Sequence, residues 1–192
     1  QSLRRRYPFV PKLTAGYGRV FSVDENNHIW WYSVQGGGVS FSDRDHADVW
    51  NLFPCEKTLL FCCANEESNL FQIIELNLST FEETVLLDSP HAIMQFYLIN
   101  EYIYYLSNHQ IIRYDTNSGD VQALSDPQSW VIDSSFTVWD DRIFFSCEQA
   151  GKTYQYNCNS NKTSLFANKK YQYIYVVGST GYTNRGLIFF SH

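Results

Sequence analysis

Short apolar runs separated by polar turns recur along the whole chain. Val20-Phe21-Ser22-Val23, Leu59-Leu60-Phe61-Cys62-Cys63, Ile103-Tyr104-Tyr105-Leu106, Ile143-Phe144-Phe145-Ser146-Cys147 and Leu187-Ile188-Phe189-Phe190 begin 39 to 44 residues apart. Runs this short, bounded by Asn, Gly and Asp, suit strands and are too brief for a buried helix. Each of the first four leads through a polar turn into a second strand-like run: His28 to Val34, Asn69 to Leu76, Gln110 to Asp115 and Thr153 to Cys158. That is the pattern of a hairpin. A second turn follows, made of Gly36-Gly37-Gly38, of Asn77 to Thr80, of Asn117-Ser118-Gly119-Asp120 or of Asn159 to Lys162, residue types that accept tight or left-handed backbone. A third strand then starts at Val39, Thr84, Val121 or Thr163. A further candidate strand precedes each later run, at Val49 to Leu52, Ile93 to Ile99, Val131 to Trp139 and Tyr171 to Val177.

The central runs are apolar at every position rather than at alternate ones. A sheet with one wet face does not need this; a sheet packed between two others does. Four-stranded repeats of this length stacked face to face are the blades of an all-β β-propeller. The expected units are 13-43, 44-88, 89-126, 127-168 and 169-192, after an N-terminal segment 1-12. The fifth unit ends after its second strand, so five units with four complete are expected. Tyr7-Pro8-Phe9-Val10-Pro11 offers at most one edge strand for closure. An unclosed edge invites pairing, so the expectation is a part of a longer propeller, or a last blade completed by another segment or chain.

The third unit, YIYYLSNHQIIRYDTNSGDVQALSD, resembles a blade of receptor propellers with Tyr-Trp-Thr-Asp repeats and of related bacterial propellers of uncharacterised function. The shared elements are an aromatic strand, an Ile-x-Arg-Tyr-like strand and an Asn/Asp-Gly turn. The Tyr-Trp-Thr-Asp tetrapeptide itself is replaced by Tyr104-Tyr105-Leu106-Ser107, and Trp139-Asp140 does not repeat in register as in WD propellers. The resemblance implies the fold and carries no ligand.

Composition narrows the function classes. A net charge of −6 and a single basic run, Arg4-Arg5-Arg6, without interleaved aromatics, argue against a phosphate-tracking nucleic-acid surface. No apolar stretch is long enough for a membrane-spanning helix. Aromatic residues make up 17% of the 192 positions, which favours pleated surfaces over helical ones. The chain starts at Gln1 without a signal-peptide pattern, so it is expected to be a processed product or a fragment. Cys55, Cys62, Cys63, Cys147 and Cys158 are odd in number and lack zinc-ligand spacing, so buried free thiols are expected, and the cytoplasm is favoured over secretion. Asn77 and Asn161 head glycosylation sequons that chance alone accounts for. No cofactor motif is present.

In a propeller, the turns from the first of these runs to the second and the connections between blades share one end. Here these hold Asp24 to Asn27, Asn65 to Ser68, Ser107 to His109 and Glu148 to Gly151, and between blades Asp43 to Asp48, Asp88 to His91, Ser125 to Pro127 and Asn168 to Lys170. Asp43, Asp88, Asp126 and Asn168 lie 45, 38 and 42 residues apart, which predicts one structural position in four units. They are read either as an acidic rim that captures a basic protein or as caps of their own turns. His91 and His109 join them as candidate partner-binding residues. Asp43, Asp45 and Asp48 are a weak candidate for a divalent cation, lacking the Gly and distal Glu of a calcium loop. A glycosidase would need paired carboxylates, for which only Asp48 and Asp133 are placed. None of the five His has a nucleophile motif beside it. A lectin would repeat its aromatic platforms, and the Trp residues do not repeat. The sequence therefore points to a non-enzymatic interaction scaffold with a protein partner, carbohydrate binding and glycoside hydrolysis being the alternatives.

Overall fold

The computed structural model describes residues 13–42, 46–126, 128–177 and 186–190. Their regular elements are strands, with one 3-10 turn at Asp133–Ser135. The chain divides into two compact units, Gln1–Ile93 and Met94–His192.

The first unit holds two antiparallel sheets. One runs in the order β1 (Leu13–Gly16), β2 (Arg19–Val23), β3 (Ile29–Ser33), β4 (Val39–Ser42); the other runs β5 (Ala47–Pro54), β6 (Thr58–Asn65), β7 (Leu70–Asn77), β8 (Glu83–Ser89). Strand β9 (Ile93–Ile99) begins on the last residue of the first unit and leads into the second, which contains β10 (Tyr102–Ser107), β11 (Gln110–Asp115), β12 (Val121–Ala123), then β13 (Thr137–Trp139), β14 (Arg142–Cys147), β15 (Lys152–Asn157), β16 (Lys162–Ala167), and a two-stranded sheet of β17 (Tyr173–Val177) and β18 (Gly186–Phe190). Each sheet pairs its strands in chain order, the up-and-down connection that short hairpins enforce.

Burial follows strand position. The six central residues of β6 are all buried, as are five of six in β10 and in β14, whereas β12 is wholly exposed and β16 nearly so. The apolar-on-both-faces runs thus sit between sheets, and outer strands meet solvent. In the first unit Phe21, Ile29 and Trp31 pack against Val49, Leu59, Phe61, Ile74 and Leu76. In the second, Tyr104, Leu106 and Ile111 pack against Val131, Phe136, Ile143, Phe145 and Tyr156.

The four-stranded sheets share one turn design. The last residue of each third strand, Ser33, Asn77, Asp115 or Asn157, caps the following turn by accepting backbone N–H groups on its side-chain oxygen. Four residues later the backbone is left-handed, at Gly37, Phe81, Gly119 and Asn161 (φ 65°, 63°, 77° and 53°). The residue after each cap donates its N–H to the turn between the first two strands: Val34 to Gly18, Leu78 to Lys57, Thr116 to Glu101 and Cys158 to Asp141, at 2.9 to 3.1 Å.

The expected strand Val131 to Trp139 is interrupted. Only Thr137–Trp139 pairs fully with β14, while Val131 makes an isolated bridge to Cys147 and Asp133–Ser135 form the 3-10 turn. A buried serine replaces the missing ladder: Ser135 Oγ donates to Ile132 O at 2.7 Å and accepts the N–H of Ser146 at 2.8 Å.

Candidate functional site

Two groups of polar side chains gather at the ends of sheets where second and third strands turn. In the first unit, the turn after β6 begins at Asn65, whose Oδ1 accepts the N–H groups of Glu67 and Ser68. One strand over, Gln72 on β7 donates to Asp88 Oδ1 on β8 at 2.8 Å, directly across the ladder. His46 reaches the same sheet just before β5. Its Nε2 lies 3.1 Å from Glu83 Oε1, both side chains nearly buried, and its ring meets Phe61 edge-on. His46, Cys63, Asn65 and Gln72, with Glu66 and Glu67, line a cleft of about 430 Å³. Burial, with the nearby carboxylates of Glu83 and Asp88, pushes the Cys63 thiol up to about 12, which disfavours the thiolate at neutral pH. The cleft offers hydrogen bonds and negative charge.

In the second unit, three loops converge. The two-residue turn Asn108-His109 joins β10 to β11 with both residues left-handed (φ 49° and 59°), the geometry a tight hairpin requires. His109 O accepts the N–H of Val131 at 2.9 Å and Trp130 O accepts that of Glu148 at 2.8 Å. These bonds lay the Trp130 indole on the His109 ring, centroids 5.0 Å apart and planes 11° from parallel. Asp133 Oδ1 stands 3.4 Å from His109 Nδ1 and is buried without a hydrogen-bond partner. Lys170 pairs with Glu148.

The residues singled out by sequence fall as follows. Asp43 and Asp45 lie outside the described residues, so neither the start of the rim nor the weak cation site is seen; Asp48 lies within β5 at a left-handed φ of 50°. Among the described residues no group of three His, Cys, Asp or Glu is placed to hold a metal. Asp88, Asp126 and Asn168 do not share one position. Ser89, Leu124 and Ala167 face the second residues of β7, β11 and β15, respectively. Asp88 therefore precedes that point by one residue, Asn168 follows by one and Asp126 by two. Longer strands and bulges in β8 and β16 absorb the difference. Asp126 caps its own turn, accepting Gln128 N–H at 2.8 Å. His91 is exposed and exchanges two bonds with Ser89 Oγ. His109 belongs to the Trp130 stack. Asp48 and Asp133 belong to different units.

Sequence reasoning passed over Trp130 because no other blade carries a Trp at its offset. The signal lay instead in Ser129-Trp130 beside Pro127, an aromatic residue in an otherwise polar connection.

No family model and no curated protein matches the chain. Among solved structures, the N-terminal domain of Nup159 superposes with a TM-score of 0.63 at 12% identity, over 83% of this chain and 44% of that one. The Cps50 (Swd1) β-propeller domain of Myceliophteria thermophila gives 0.61 at 10% identity, over 89% and 59%. A complex of S. cerevisiae Dbp5 with Nup159, Gle1, IP6 and ADP gives 0.63 at 11% identity, over 84% and 44%. The chain has the β-propeller fold. It spans about half the length of these solved chains. Four blades are four-stranded and the sheet of β17 and β18 has two strands. Among the described residues, no helix is long and apolar enough to cross a membrane.

Proposed function

We propose that this propeller is a non-enzymatic scaffold that captures a basic protein partner on the loop ends of its blades. The observation that carries the reading is the convergence in the second unit, where three loops meet at an exposed indole stacked on His109, with the Asp133 carboxylate against that ring. Rigid strands beneath variable loops are a common platform for recognition, and a solved neighbour, the complex of Dbp5 with Nup159 and Gle1, is itself a protein assembly. The net charge of −6 favours a basic partner.

The test compares protein capture by the wild-type chain with that by Asp88→Lys/Asp126→Lys and by Asp120→Lys, which reverses charge in the β11–β12 turn at the opposite sheet end. A partner lost by the first variant and kept by the second supports the reading. A partner lost equally by both, or kept by both, overturns the acidic loop end as the docking surface.

A further inference from the structure

The Trp130 stack contains a feature that packing does not account for. Its indole is 53% exposed, yet its backbone is held at φ 21° and rests on His109 at φ 59°. Side chains in such conformations persist when surrounding bonds over-determine them, and here the Val131 and Glu148 N–H groups do so. Strained backbone is being used to hold an aromatic face open to solvent rather than to bury it.

The charged groups near that face are mostly acidic. The Asp133 side chain is 39% exposed, its Oδ1 buried against the His109 ring and the rest of the carboxylate edge open to solvent. Glu148 borders Trp130 through its backbone, and Asp126 lies close enough to raise the Cys147 thiol. The nearby basic side chains are engaged: the His109 ring faces Asp133, and the Lys170 ammonium pairs with Glu148. A sugar presents neutral hydroxyls that both donate and accept and carries no charge to match the carboxylates. A guanidinium presents five N–H donors and no acceptor on a flat cation that stacks on indole. The site's chemistry is complementary to the second.

We propose that Trp130, stacked on His109 and flanked by Asp133, is the receptor for an arginine side chain presented by the partner protein. This rests on the scaffold reading above and names the chemistry by which the partner is recognised. The guanidinium lies on the outer face of the indole and donates to the exposed carboxylate edge of Asp133.

The experiment follows indole N–H resonances of the ¹⁵N-labelled full chain, Trp130 being assigned by the signal lost in Trp130→Phe. The probes are a Gly/Ser peptide bearing one arginine, the same peptide bearing citrulline or lysine, and a neutral disaccharide. The arginine peptide is expected to move the Trp130 signal alone, to bind at least about tenfold more tightly than the citrulline peptide, and to weaken by about tenfold in Asp133→Asn, the order expected for loss of a charge-assisted hydrogen bond. Equal binding of arginine and citrulline, an unchanged affinity in Asp133→Asn, or a larger shift with the disaccharide overturns the proposal. Its failure is separable from that of the scaffold reading. If a partner captured by the wild-type chain and lost by Asp88→Lys/Asp126→Lys is still held by Trp130→Phe and Asp133→Asn, the arginine receptor falls and the scaffold stands. If the wild-type chain captures no partner, the scaffold reading falls first.

Discussion

The indole Nε1–H of Trp30 donates to Oδ2 of Asp24 at 2.8 Å, fastening the turn between β2 and β3 to the strand that leaves it. The other carboxylate oxygen accepts the N–H groups of Asn26 and His28, and the His28 ring stands 3.2 Å from Oδ2. Asn26, His28 and Trp30 therefore all depend on a single carboxylate side chain.

That dependence sets an acid limit. Trp30, then the backbone N–H groups of His28 and Asn26, hold the Asp24 carboxyl down to about 2 from an ordinary 3.8. A carboxyl depressed in the folded state contributes stability that is present above its unfolded value and is lost as pH falls through the folded one. Thermal unfolding between pH 5 and pH 2 is expected to show a stability loss over that window that is smaller in Asp24→Asn. An identical pH slope in the two proteins would remove Asp24 from the account.

Gly119 tests the shared turn. It sits at φ 77° with only the Tyr114 hydroxyl near the position of an added Cβ, 4.0 Å away, so substitutions there report backbone preference and little else. Asn occupies the equivalent place at Asn161. Gly119→Asn is expected to lie within about 1 kcal/mol of wild type and Gly119→Val to cost about 1–2 kcal/mol more in urea unfolding, because left-handed backbone penalises a branched Cβ. Equal midpoints for Asn and Val would contradict this.

A chain of buried hydroxyls ties β14 and β15 to the segment before β17. Ser146 Oγ and Thr153 Oγ1 lie 2.7 Å apart, Thr153 donates to Lys169 O at 2.8 Å, and Ser146 Oγ accepts the Tyr171 N–H at 3.0 Å. Thr153→Val keeps the shape and strands two polar groups, which costs about 1–3 kcal/mol. Hydrogen exchange at Tyr171 should quicken in that variant and not in Thr153→Ser.

The thiols give a fourth check. Burial raises every one of the five, Cys63 to about 12 and Cys147 to about 11, with a contribution from Asp126 to the latter. Iodoacetamide at pH 8 should label the native chain slowly and the urea-unfolded chain at ordinary thiol rates. Rapid native labelling at Cys63 would show that the cleft opens.

How much of this was legible follows from what each feature depends on. The strands of β6, β10 and β14 were visible because two-sided burial demands unbroken apolar runs. The outer turns were visible because Asn, Asp and Gly are needed for caps and positive φ. Phe81 was not, since an aromatic residue in a left-handed position breaks the rule and is held by its contact with Trp31 at 5.3 Å. Equal spacing of Asp88, Asp126 and Asn168 suggested one rim position, yet spacing counts residues while bulges and strand length set the register. The cluster of His109, Trp130 and Asp133 needed three loops to meet, and local pattern carries no record of that.

The four outer turns close alike, each with a left-handed residue four places after its cap, although the capping residues are Ser, Asn, Asp and Asn. Each blade thus has a standardised fastening at one end and an individual surface at the other. The fastenings are interchangeable parts: the six-residue turn beginning at Asp115 should replace the one at Ser33 or Asn157 without altering the opposite loops. A chain built this way can vary its loop surface, blade by blade, while leaving its joinery alone.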